Sequence, residues 1–292
     1  MAGLRRPACR QAGLQGGPPL RILTVGLAAG KFGEVNTVEL SLLVDRLRAK
    51  ITRRALVAFA LELAMVFAAM VVYFLIRGGL PEPVDEAVSR SNRIIDVERA
   101  LGIFWERDWQ EPVLKSRLLM QIANGIYVWG HFPVILATAF WLYWRSRERY
   151  NFYRTALLVS AFIGLWAYGF FPAAPPRLMP QQWGFVDTIA LIAKETYDMQ
   201  PGGFVNQYAA VPSLHFGWAL LAGIAITDTT NGFLAKVLAV LIPSAMFWAI
   251  VVTGNHFIFD MLVGGTIVLF SLGVSWLFYS GRLGTALRLQ RQ

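Results

Sequence analysis

The sequence predicts an all-α membrane protein, a bundle of six transmembrane helices with interfacial helices on its outer face. Three observations carry that prediction. Of 292 residues, 56% are apolar and only 15% charged, with a mean hydropathy of +0.49, too greasy and too sparsely charged for a soluble domain. The apolar residues gather into six helix-length runs separated by polar breaks. The basic residues behind the net charge of +9 cluster at the ends of those runs, as membrane orientation requires, and form no patch of the kind nucleic acid needs. No nucleic-acid partner is expected.

Residues 1–35, rich in Gly, Arg, Pro and Ala, read as a disordered N-terminal segment. The apolar patch at 20–29 is too short to span a bilayer, and too late and too broken by glycine for a signal peptide. Cys9 is the single cysteine, which excludes an internal disulfide and a cysteine-based metal site. Residues 36–54 read as a basic amphipathic juxtamembrane segment: Asn36 and Glu39 match a capping box, and Arg46, Arg48, Lys50, Arg53 and Arg54 approach the membrane. Residues 55–281 form the six-helix membrane domain, and 282–292 a basic cytoplasmic tail with Arg282, Arg288 and Arg291.

The predicted spans are 55–76, 118–144, 152–171, 212–227, 233–253 and 256–279. The first, at about 1.5 Å per residue, is long enough for a hydrocarbon core of roughly 30 Å. Its one carboxylate, Glu62, is expected to make an interhelical hydrogen bond. Residues 77–117 mix seven basic and eight acidic side chains with Ile94, Ile95, Leu101, Trp105 and Trp109, a composition that suits a pair of interfacial helices. The polar segment 172–210 contains Pro175-Pro176-Arg177, and connections of this length are commonly functional. With the N-terminus inside, the inner segments hold 18 of the 27 Lys and Arg residues, and the nine outer ones are offset by eight acids in the first outer loop. The reading is therefore a multi-pass protein of the cell membrane with both termini cytoplasmic. Arg177, His215 and His256 then meet at the outer boundary from three separate stretches.

Two of the three histidines, His215 and His256, stand where an apolar run begins. Both runs travel inward, so both helix N-termini, with their exposed N–H groups and positive dipole ends, point at the outer layer and suit a phosphate there. Ser213 and Asn255 suit cap or first-turn positions. His256 and Asp260 are spaced i, i+4 on one predicted helix face, so the carboxylate can fix the imidazole tautomer and leave the other nitrogen free to attack. His131 lies about 10 to 20 Å deep by helical rise and is read as structural support. Asn124 and Gln207 are candidate head-group contacts, Lys194 is a candidate extra cation, and Tyr127, Trp129 and Phe132 are read as packing and interfacial belt.

These residues resemble the type 2 phosphatidic acid phosphatase superfamily, and within it the aureobasidin-sensitive inositolphosphotransferase branch, over roughly residues 80–280. Pro212-Ser213-Leu214-His215 is similar to the family's Pro-Ser-Gly-His motif, His256 and Asp260 to its His-x-x-x-Asp motif, and Pro175-Pro176-Arg177 occupies the place of its first motif. The resemblance implies that His256 is a nucleophile forming a phosphohistidine, Asp260 its orienting partner, and His215 the acid that protonates the leaving alkoxide. Ser213, Arg177 and Asn255 would hold phosphoryl oxygens, with no metal or other cofactor.

The chain also departs from the family. Phe170 stands where the first motif has a lysine, Leu178 follows Arg177 where a proline is usual, and Ala249 and Ile250 stand where the last motif has Ser-Arg. Two cations are missing from a site that would otherwise hold a phosphomonoester of charge about −2. The expectation is therefore a lipid phosphotransferase that moves an inositol phosphate-like group from a phospholipid, such as phosphatidylinositol, to a lipid or polyol alcohol acceptor. A lipid phosphate or pyrophosphate phosphatase with the same site is the alternative. A zinc site on His131, His215, His256 and Asp260 has suitable ligand types but no His-Glu-x-x-His run. A transporter or scaffold is disfavoured by the lack of repeated halves. Oligomeric state is left open by the sequence.

Overall fold

A computed structural model describes residues 53–198 and 204–289, without the side chains of 197, 198 and 281–289. The predicted segment 1–35, the Asn36/Glu39 capping box with nearly all of 36–54, and residues 290–292 of the tail lie outside the described residues. The chain divides into two compact units, Met1–Leu61 and Glu62–Gln292. Of the first, residues 53–61 are described and are helical; every contact below lies within the second.

The fold is all-helical: α1 (Arg53–Gly79), α2 (Val84–Leu101), α3 (Glu106–Leu114), α4 (Arg117–Asn124), α5 (His131–Arg145), α6 (Arg147–Phe170), α7 (Thr188–Ile192), α8 (Glu195–Asp198), α9 (Leu214–Thr229), α10 (Phe233–Val252) and α11 (Ile258–Leu289). Among the described residues the one β feature is an isolated bridge between Ala173 and Ala209. A π-helical turn, Gly125–Gly130, joins α4 to α5. Four stretches are long and apolar enough to cross a membrane: Arg53–Gly79, Arg117–Arg145, Phe233–Val252 and Ile258–Ser280. They mark a membrane protein. Helices also occupy the other two predicted places but fall short of the same standard. The first turns of α6 carry Arg147, Glu148, Arg149 and Arg154, and α9 has 16 residues.

Local chemistry explains where the helices begin and turn. Ser116 and Ser146 cap α4 and α6, their side chains accepting from Leu119 N and Arg149 N. At the end of α6 and α9 away from the histidines, Arg149 pairs with Asp228 at 2.7 Å, and Tyr153 donates to the same carboxylate at 3.0 Å. Glu62 accepts from Tyr150 at 3.0 Å and pairs with Arg154, which is the interhelical bond the sequence led us to expect.

The contact that sets the site is the crossing of α9 and α11. A Cβ at Gly264 would fall 2.2 Å from the Ser213 carbonyl oxygen, and one at Gly217 would fall 2.9 Å from the Gly264 oxygen. The two backbones therefore touch, and Ser213 N donates to Asp260 O at 2.9 Å across the crossing. The helix α2 buries Ile94, Ile95 and Glu98 against a cluster containing Phe257, Ala173 and Val211. Its apolar stripe thus packs on the segment that leads into α11.

Candidate active site

His256 does not sit on α11, as the i, i+4 reading assumed, but two residues before it. Asp260, in the first turn, reaches back: its Oδ2 accepts from Phe257 N at 2.9 Å and lies 3.3 Å from His256 Nδ1. This is the acidic half of a capping box, and it ties the imidazole to the carboxylate without a shared helix face. Asp260 is fully buried and His256 nearly so. The turn before them favours Gly254, whose φ of +71° strains any side chain and where an added Cβ would sit a tight 3.2 Å from Val186 O. Arg177 N donates to Gly254 O at 2.8 Å, which ties the Pro176-Arg177 turn to the same strand of chain.

The N-terminus of α11 is not an open anion site. Ile258 N donates to Glu106 Oε1 at 2.8 Å and Phe259 N to Glu98 Oε1 at 2.7 Å, while Asn255 N and His256 N donate to Ile250 O. Three carboxylates, two of them from α2 and α3, thus occupy the donors that a phosphate was expected to use. Glu98 and Glu106 are both buried, and each leaves its Oε2 without a conventional partner. Burial first, then the charge of the adjacent Glu106, pushes Glu98 up to about 9. Burial also raises Glu106. One proton held by Glu98 and donated to Glu106 satisfies both oxygens.

The histidines meet at a cavity of about 380 Å³ lined by Arg177, His215, Asn255 and His256, with Tyr127 and Gln207 also on its wall. The rings of His215 and His256 are 5.7 Å apart. His215 is flanked by Tyr127 at 4.7 Å and by His131 at 4.4 Å, and His131 stacks on Trp218 at 5.8 Å. Arg177 Nε donates to Asn255 Oδ1 at 2.9 Å, and its guanidinium lies 3.8 Å from Asp187. Asp187 in turn caps α7, accepting from Ile189 N and Ala190 N.

The sequence candidates separate on this geometry. His215, His256, Asp260, Arg177 and Asn255 come together. Asn255 is no helix cap; both amide atoms are engaged, Oδ1 by Arg177 and Nδ2 by Thr253 at 2.8 Å. Ser213 caps α9, its Oγ accepting from Phe216 N at 3.5 Å, and is fully buried and not among the residues on the cavity wall. His131 stands beside His215, one helical residue past the π turn, with its Nδ1 lacking a partner. Asn124 is spent on Thr188, donating to its carbonyl at 3.0 Å and accepting from its hydroxyl at 2.7 Å. Gln207 is on the rim, whereas Lys194 is exposed and apart from the cavity wall. Among the described residues, no three His, Cys, Asp or Glu side chains are grouped to hold a metal ion.

Several residues escaped the sequence reading. Glu98 and Glu106 looked like loop acids, although their neighbours Ile94, Ile95, Ile103 and Phe104 signalled burial. Gln110 was passed over; it donates to Val186 O and Val252 O and accepts from Val186 N, pinning the Asp187 loop to the end of α10. Arg77, counted as a basic residue at a span end, lines the cavity.

A histidine tied to a buried carboxylate and facing a second histidine, in a helical membrane protein, is an arrangement suited to phosphoryl chemistry. The chain belongs to the PAP2 superfamily, whose sequence model matches residues 92–274. Membership suggests phosphatase or phosphotransferase activity on lipid phosphates. No curated protein and no solved structure matches the chain.

Proposed function

We propose that this protein is a lipid phosphotransferase of the inositolphosphotransferase-like branch, working through a phosphohistidine. The observation that carries the reading is the His256–Asp260 pair facing His215 across the cavity. With Asp260 on Nδ1, His256 Nε2 attacks phosphorus, and the departing alkoxide takes its proton from His215. An acceptor alcohol then gives its proton to His215 and attacks the same phosphorus, which breaks the P–N bond and restores His256. Arg177 and Asn255 orient the phosphoryl oxygens.

The donor we propose is a phosphodiester lipid such as phosphatidylinositol, with a lipid or polyol alcohol as acceptor. At the family's cation positions, Phe170 is 69% exposed and Ile250 is fully buried, and Arg177 already shares its charge with Asp187. A singly charged ester fits that balance better than a dianion. An apolar cavity of about 140 Å³, lined by Met70, Tyr73, Leu142 and Trp218, shares Phe74 and Phe132 with the polar one, so an acyl chain can lie beside the head group. The proposed setting is a multi-pass domain, residues 55–281, with six spans, cytoplasmic termini and the site at the outer face. In support, the stretches bearing Arg177, His215 and His256, which the charge distribution assigns to one side, line one cavity.

Incubating purified protein with head-group-labelled phosphatidylinositol or labelled phosphatidic acid, with and without an alcohol acceptor, tests the reading. Label moving to the acceptor is the expected result. Release of inorganic phosphate from phosphatidic acid alone overturns the transferase version in favour of a phosphatase.

A further inference from the structure

We propose that Arg77 is a second anion-binding side chain of this pocket, supplying from α1 the positive charge that the family's usual positions lack here. The proposal rests on the pocket being a phosphoryl site. Arg77 lies outside the stretch 92–274 shared with the superfamily, so nothing in that match assigns it a role. It lines the cavity of about 380 Å³ and also a smaller adjoining one of about 80 Å³, in both cases together with His215 and His256.

Its surroundings leave its charge unanswered. Nε is sealed from solvent and has no hydrogen-bond partner, and among the described residues no carboxylate pairs with it. Arg149 and Arg154, by contrast, meet Asp228 and Glu62. Among the described residues its compensating neighbours are aromatic: the Tyr168 ring lies 5.4 Å from the guanidinium carbon, and Tyr73 and Tyr127 are also close enough to interact with the charge. A ring face offsets only part of the cost of taking a cation out of water, so a sheltered guanidinium with no acid is set up for an anionic ligand. The planar fork of arginine matches two oxygens of one phosphoryl group.

The platform is tied to the reacting groups as well. Tyr168 donates from its hydroxyl to Pro212 O at 3.0 Å, at the turn that launches Ser213 and His215. Arg77 therefore stands on the His215 side of the cavity, and Arg177 with Asn255 on the His256 side. A phosphate ester between the two arginines is gripped from both sides. Arg177 is partly neutralised by Asp187, whereas Arg77 has no carboxylate partner among the described residues, a balance that suits a phosphodiester.

The test is thermal stabilisation of the full-length protein in detergent by inorganic phosphate, run beside turnover of labelled phosphatidylinositol and phosphatidic acid. R77M is expected to weaken phosphate stabilisation about ten- to a hundredfold, and R77K, which keeps the charge and loses the fork, about three- to tenfold. Phosphate stabilisation within twofold of wild type in either variant overturns the proposal, as does a wild-type protein that phosphate does not stabilise. If R77M does not fold, R77K decides alone. Weakened phosphate binding in the variants of a protein that turns over neither lipid leaves Arg77 in place and removes the enzymatic reading instead.

Discussion

Glu98 gives the sharpest test of how the site is held. Its Oε1 accepts from Phe259 N at 2.7 Å, its carboxyl group interacts with that of Glu106, and the side chain is fully buried. Glu98→Gln reproduces the protonated form: the amide oxygen still accepts from Phe259, and the amide nitrogen donates to Glu106. It should cost less than about 1 kcal/mol at neutral pH. Glu98→Ala leaves a buried N–H unpaired, isolates Glu106 and opens a void, costing about 3–5 kcal/mol. The pH dependence follows from the raised value. Below the ordinary 4.5 both folded and unfolded chains hold the proton; between 4.5 and about 9 only the folded chain does. Stability from this group is thus fully present below 4.5 and is lost as pH rises through about 9, at up to about 1.4 kcal/mol per pH unit. Melting followed by tryptophan fluorescence from pH 6 to 9 should show a steeper decline for wild type than for Glu98→Gln. Equal slopes, or a Gln variant as damaged as the Ala variant, would refute the shared-proton account.

Three further outcomes are expected. Asp260→Asn keeps an oxygen for Phe257 N and His256 Nδ1 but removes the negative charge that supports the imidazole as it attacks, so kcat should fall by about a hundredfold or more with the melting temperature nearly unchanged, by analogy with orienting carboxylates elsewhere. Gly264→Ala places a methyl group 2.2 Å from Ser213 O, so α9 and α11 must separate; a destabilisation of about 1–3 kcal/mol with a loss of kcat checks it. Asn124→Leu breaks both bonds to Thr188 and should cost about 1–3 kcal/mol while leaving KM for the lipid unchanged, which separates a structural role from head-group contact.

What the sequence made legible was whatever depends on composition and spacing. Apolar runs located helices at all six predicted places, and Arg177, His215 and His256, which the charge distribution assigns to one expected layer, line one cavity. What stayed hidden was what depends on contact between distant stretches. Glu98 and Glu106 reach Phe259 and Ile258 across more than 150 residues, a separation that carries no periodic signal. The capping of α11 by these acids also overturned the idea of an open helix terminus, because a helix start shows its vacancy in sequence only when its partners are local. His131 was assigned a depth by straight helical rise, whereas a π turn precedes it and its ring lies against His215. Arg77 read as an ordinary end-of-span cation because sequence does not distinguish a side chain that snorkels to water from one folded into a pocket.

The backbone contact between α9 and α11 has a kinetic consequence. The close approach of Gly217 and Gly264 sets the two histidine rings 5.7 Å apart across the cavity. On the proposed mechanism, one proton-exchanging group, His215, must serve the departing alcohol and then the arriving one at the same spot. Double-reciprocal plots at several acceptor concentrations should therefore run parallel, with the departing and the accepting alcohol competing for the phosphorylated enzyme.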